Sequence, residues 1–213
     1  METETKDMLQ KETRYLAAAL QGILGWEWLV SGVNKVASGT FPSGLAATLS
    51  DGVKSNPNGW YVAFLRTVVL PHSVAFGYLI EVVEVLAGLA LLAGALVLLG
   101  GIRRRGEPQY RLAVAQVTAA AVASLACIAL CVNFHFFMGD GVLPGVSAAN
   151  AFSEGVDLDT LMPPLALVIL VFNLYALRLM TGVSVATITR RVRHIARMLL
   201  THVPARNMAI RAP

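Results

Sequence analysis

The chain has 213 residues, of which 56% are hydrophobic and only 14% charged, and its mean hydropathy is +0.64. Soluble domains carry roughly 25% charged residues, so this composition excludes an ordinary soluble globular domain. The net charge of +4 reads as a membrane-topology signal and implies no nucleic-acid partner, because the basic residues fall mostly on one side of a multi-pass arrangement.

In chain order, METETKDMLQKE mixes both signs of charge, and no small-residue cleavage site closes a short apolar core. The first apolar segment is therefore expected to be an uncleaved anchor rather than a signal peptide. Apolar segments lie at about 14–37, 72–100, 110–138 and 161–182. Each holds roughly 20 residues or more, enough for about 30 Å of hydrocarbon at 1.5 Å per residue. The expected fold is an all-α integral membrane protein, a four-transmembrane-helix bundle over residues 1–182 followed by a basic tail at 183–213.

The first segment carries Gln21, Glu27, Asn34 and Lys35. After it, Gly39, Pro42 and Gly44 read as loop, LAATLSDGV as a short helix and NPNG as a turn. WYVAFLRTVVL (60–70) is too short to span and is expected to lie along the outer surface or to re-enter the bundle. The second segment opens near Pro71 and ends at Gly100, Gly101 and the Arg103–Arg105 triplet. The third is rich in alanine, which favours close helix packing, and holds Cys127 and Cys131. Two small apolar residues explain that cysteine pair more simply than a redox pair does, since regular helix disfavours a disulfide between them. The segment ends in the patch NFHFFMGDG, and the fourth opens at Asp159 or Thr160 with Pro163 and Pro164 in its first turn. In the tail, 184–200 sets Val185, Ile188, Val192, Ile195 and Leu199 on one stripe among arginines, as expected of an amphipathic helix on an anionic leaflet. Only Lys35, Lys54 and Arg66 fall on the side opposite the other Lys and Arg residues. The positive-inside rule then places both termini in the cytoplasm, and the expected location is the cell's inner (plasma) membrane.

The polar residues inside the spans are the candidate site. Ionisable groups there are expensive and mark interiors, cavities or proton paths. Glu81 and Glu84 lie one turn apart in the second span, and Glu27 lies at comparable depth in the first. Two carboxylates at i and i+3 face each other, so at least one is expected to be protonated or paired with a cation. Such a pair suits proton acceptance in quinone chemistry, and Lys35 is the candidate counter-charge. Arg66, His72, Asn133 and His135 lie near the same outer boundary and complete a candidate anion- or substrate-binding set. Each has an ordinary alternative: snorkelling for Lys35, helix-to-helix hydrogen bonds for Asn133 and Asn173, interfacial placement for the histidines, packing for Glu27. No phosphate loop, CxxC or metal motif of convincing spacing is present.

FLRTVVLPHSVAFGYLIEVVEVLAGLALLAG resembles the second-helix region of the DoxX/DoxD family, most closely its DoxD-type thiosulfate:quinone oxidoreductase membrane subunit. LGWEWLVSGVNKV resembles the family's first helix, with Gly32 and Lys35 at its outer end. Glu84 followed by Gly88, and Asn133–Phe134, are also similar. The resemblance covers roughly residues 14–180 and leaves the basic tail and Glu81 outside it. It implies a four-helix bundle that oxidises thiosulfate to tetrathionate and passes electrons to a membrane quinone, together with a small partner subunit. Lys35, Arg66 and His72 would then meet an anionic substrate, and Glu84 would be the proton acceptor. Two other readings stand beside it. One is a non-catalytic accessory subunit that stabilises a larger respiratory or photosynthetic membrane complex. The other, a small-solute carrier, is disfavoured because no span is interrupted mid-membrane.

Overall fold

A computed structural model describes residues 2–101, 105–138 and 158–182, with side chains described from Lys11 and, in the last segment, from Leu161. The expected tail helix and the outer loop between the third and fourth spans lie outside these residues. The described residues form helices α1 (Glu2–Ser38), α2 (Phe41–Ser55), α3 (Gly59–Phe64), α4 (Ser73–Gly100), α5 (Tyr110–Met138) and α6 (Leu158–Thr181), and no strand occurs among them. Four helical stretches are long and apolar enough to cross a membrane: Lys11–Ser38, Gly59–Gly100, Tyr110–Met138 and Leu161–Thr181. This is an all-α, four-span membrane bundle.

The bundle is inside-out in polarity. Exposed positions on the long helices include Ile23, Leu86, Leu96, Val122, Leu125 and Val171, whereas Gln21, Glu81, Glu84, Ser124 and Asn173 are buried. A bilayer solvates the apolar faces, so the polar groups must find partners within the protein. The buried positions recur on a seven-residue pattern. On α4 they include Gly77, Glu81, Glu84, Gly88, Leu91, Ala95 and Leu98; on α6 they include Met162, Ala166, Ile169, Asn173, Ala176 and Met180. That spacing belongs to helices packed nearly along one another. α4 packs against α1 and α5, α5 against α6, and α6 closes onto α1.

The α1–α4 seam is the closest approach. A Cβ on Gly88 would stand 2.5 Å from the Leu29 backbone nitrogen, and one on Gly32 would stand 2.7 Å from that of Val85. Glycine is needed there because any side chain would meet backbone.

The short helix expected at LAATLSDGV is present and starts earlier, at Phe41, the strip at 60–70 is also helical, and together they form a cap at the end of the bundle where α1 ends. α2 sets Leu45, Leu49 and Val53 against Tyr61, Leu65 and Val69 in one apolar cluster, joined by Phe136 and Phe137 from α5. α3 runs into α4 without a break, through a π turn at Leu65–Val69 and a 3-10 turn at Leu70–His72. Pro71 explains the irregularity, since it lacks an N–H and its ring clashes with the carbonyl one turn earlier. Asn56 completes the cap by donating from Nδ2 to the Phe136 and Phe137 carbonyls at 2.7 and 3.0 Å. These belong to the last turn of α5, where carbonyls have no partner in the helix itself.

Candidate functional site

α1 and α4 build the site. Ser31 and Lys35 stand one turn apart on α1, and Gly32 between them lets α4 close in to the Cβ of Glu84. With the backbones this near, the side chains meet at short range. Lys35 Nζ donates to Glu84 Oε2 at 2.7 Å and to Ser31 Oγ at 2.8 Å, and Ser31 Oγ donates to the same Glu84 oxygen at 3.1 Å. The Glu84 side chain is 1% exposed and that of Lys35 is 22% exposed. The Lys35 ammonium also lies 5.4 Å from the Phe41 ring centroid, a cation–π contact from the start of α2.

Glu81 lies one turn closer to the capped end and is 6% exposed. Its Oε1 is buried and has no hydrogen-bond partner among the described residues. The two carboxylates therefore differ in kind: one is neutralised and doubly bonded, the other is enclosed without a donor.

A second polar layer lies two turns further along α4, about 10 Å away. Gln21 Nε2 donates to the Leu91 carbonyl at 2.8 Å, and Asn173 Nδ2 donates to Gln21 Oε1 at 2.8 Å and to the Ile169 carbonyl at 2.9 Å. This layer ties α1, α4 and α6 together with neutral amides only. The Asn173 Oδ1 atom is buried without a partner among the described residues. Cys127 and Cys131 are both buried and form no disulfide. They pack with Leu24, Trp28, Ala87 and Leu91 in the central apolar cluster.

The remaining candidate residues do not join these groups. Glu27 is exposed on the outer flank of α1. Glu27 and Lys35 are eight residues apart, which at 3.6 residues per turn puts them about 80° apart around the helix, and it is Lys35 that faces α4. Arg66 and His72 are exposed at the capped end. Asn133 is exposed, donates to the Ala129 carbonyl at 2.7 Å and is touched by the Tyr61 hydroxyl, which also donates to the Asn133 backbone carbonyl at 2.9 Å. His135 is half-buried edge-on against Phe136. The candidate set thus narrows to an α1–α4 pairing of Lys35 and Ser31 with Glu84, with Glu81 beside it and the amide layer separate. Among the described residues, no three His, Cys, Asp or Glu side chains gather as metal ligands.

Sequence reasoning passed over Ser31 and gave Gln21 no role. Both had a signal. Gln21, Trp28 and Lys35 share a seven-residue spacing, and Ser31 lies one turn before Lys35, so all four fall on one side of α1.

No protein-family model, curated protein or solved structure matches this chain.

Proposed function

We propose that the chain is the membrane subunit of a quinone-linked oxidoreductase of the DoxX/DoxD type, seated in the plasma membrane with both termini cytoplasmic. The observation that supports this reading is the enclosed pair of unlike carboxylates, Glu81 without a donor beside Glu84 held by Lys35 and Ser31. Reduction of a quinone to its quinol takes two electrons and two protons. Two thiosulfate ions supply the electrons as a sulfur–sulfur bond forms between them, giving tetrathionate. The protons must come from the protein side, so the carboxyl groups give protons to the quinone. This reverses the accepting role that the family resemblance implies for Glu84. Glu81 is the group placed to carry a proton, and Lys35 has one further N–H to offer a quinone oxygen.

Charge argues against binding the sulfur anion at this pair. Among the described residues Lys35 is the only cation there, and Glu84 already neutralises it. A dianionic donor is better met by Arg66 and His72, which are exposed at the capped end, or by a partner subunit. The accessory-subunit reading draws on the same fact, because Lys35 spends two of its three donors inside the protein.

The test is reconstitution of the full chain in liposomes with thiosulfate and a short-chain quinone analogue. Quinone absorbance reports turnover, and quenching of Trp28, which packs with Ala87 and Leu91 of α4 in the central apolar cluster, reports binding. Turnover that falls on the order of 10²-fold in Glu81→Gln and Glu84→Gln, with quinone binding retained, supports the assignment. Absence of both turnover and quinone binding, alone or with co-purifying chains, removes it in favour of the accessory subunit.

A further inference from the structure

Glu27 faces outward well inside the α1 span, unlike the exposed Glu12 at its start. It lies 11 residues from Ser38, about 16 Å along the axis, deep within the hydrocarbon. A glutamate is too short to reach either headgroup layer from there, and a carboxyl group facing lipid is costly. Ile23 (65% exposed) and Trp26 (62% exposed) flank it, so nothing among the described residues covers this face.

The spacing around Glu27 is regular. Leu20, Ile23, Glu27, Val30 and Asn34 recur at alternating steps of three and four residues, and Ile23, Glu27 and Asn34 are exposed while Leu20 and Val30 are half-buried. This is a coiled-coil seam on the flank of α1 turned away from α4, with polar residues at two equivalent positions seven apart. Two copies of one membrane protein share the same orientation in the bilayer, so a two-fold axis between them runs along the membrane normal. α1 would then lie parallel to α1 of the second copy, and each seam residue would meet its own counterpart. Such contacts require self-complementary side chains. Asn34 has both donor and acceptor groups, and so does the protonated carboxyl of a glutamate.

We propose that this flank of α1 is the interface of a parallel, two-fold symmetric dimer of the chain, with Glu27 bonded to Glu27 of the second copy deep in the membrane and Asn34 to Asn34 near its boundary. Paired polar residues on an otherwise apolar seam fix register, and they hold the helices together where hydrophobicity gives no preference between protein and lipid.

The test follows association of donor- and acceptor-labelled full chains in liposomes by energy transfer as the lipid-to-protein ratio is varied. Glu27→Leu removes the donor and acceptor and is expected to lower association on the order of tenfold. Glu27→Gln keeps both and is expected to stay within about twofold of the native chain. A second measurement uses Ile23→Cys, which should cross-link to itself on mild oxidation, whereas Ala17→Cys on the inward face should not. Three results would overturn the proposal: no association in the native chain, association indifferent to Glu27→Leu, or Glu27→Gln as damaging as Glu27→Leu. The last would point to a cationic helix of another protein as the partner.

Discussion

Removing Lys35 should be far more damaging than removing both members of its pair. In Lys35→Met, Glu84 stays 1% exposed and keeps only the Ser31 hydroxyl at 3.1 Å as donor. A buried charge stripped of its partner costs about 3–5 kcal/mol. Glu84→Met strands Lys35 instead, but that side chain is 22% exposed and lies within a turn of the end of α1, so its ammonium can move to the boundary. The expected cost there is about 1–2 kcal/mol, that of a lost charged hydrogen bond. The double variant replaces the pair with two apolar side chains of similar length and should lie within about 1–2 kcal/mol of the native chain. The cycle therefore predicts a coupling of at least about 2 kcal/mol, with Lys35→Met the least stable of the three. Reversible unfolding in mixed detergent micelles, followed by helical circular dichroism, measures all four proteins. Equal single-variant losses that add in the double would refute the reasoning, because they would mean that Glu84 is not enclosed in a low-dielectric interior.

The glycine seam makes an opposed pair of predictions. Gly88→Ala would drive a Cβ to 2.5 Å from the Leu29 nitrogen, a backbone clash expected to cost about 1–3 kcal/mol, more than the roughly 1 kcal/mol gained in helix propensity. Gly22→Ala has nothing within 4 Å of the new Cβ and should keep that gain; the same unfolding assay ranks the two. Asn173→Leu leaves Gln21 Oε1 without its donor in a fully buried layer, and a loss of about 1–3 kcal/mol is expected by the same measurement. Asn56→Ala frees the Phe136 and Phe137 carbonyls and should speed amide exchange in the last turn of α5 and in α2 while leaving the α1–α4 seam protected, as hydrogen-exchange mass spectrometry would show.

The four spans were legible because the bilayer imposes a length and an apolarity that few other contexts demand, and their ends fall where charge, glycine or proline breaks the run. The cap was legible only in part: LAATLSDGV reads as a short helix and NPNG as a turn, and the structure has a helix over Phe41–Ser55 and a break at 56–58. But Gly39, Pro42 and Gly44 carry the chemistry of loops where α2 already begins, and the strip at 60–70 runs helically into α4. What decides there is tertiary: Leu45, Leu49 and Val53 need the apolar ends of α4 and α5, and a fit between segments so distant in sequence leaves no local sign. At the site, a residue count gave only a coarse depth, and phase was neglected. Counting residues placed Glu27, Glu81 and Glu84 at one level of the membrane, but Gly25 packs against Leu91 and Gly88 against Leu29, which sets Glu27 about one to two turns further in than Glu84, and Glu27 faces outward while Lys35 faces α4.

The two polar layers differ in whether they can hold charge. The deeper one, Gln21 with Asn173, is built of amides that hold no charge in any protonation state, and it bonds three helices across the middle of the bundle. The ionisable one, Lys35 with Glu84 and Glu81, lies towards the capped end, where the Lys35 side chain keeps some contact with the surroundings. A proton can be exchanged only where a titratable group has a route to water or to a mobile carrier. The amide layer interrupts any continuous line of acids and bases along the described interior towards the arginine-rich end. Under the proposed function, protons given up at Glu81 and Glu84 would therefore be replaced from the capped side, as suits a site that serves a membrane-dissolved reactant rather than a path that crosses the bilayer.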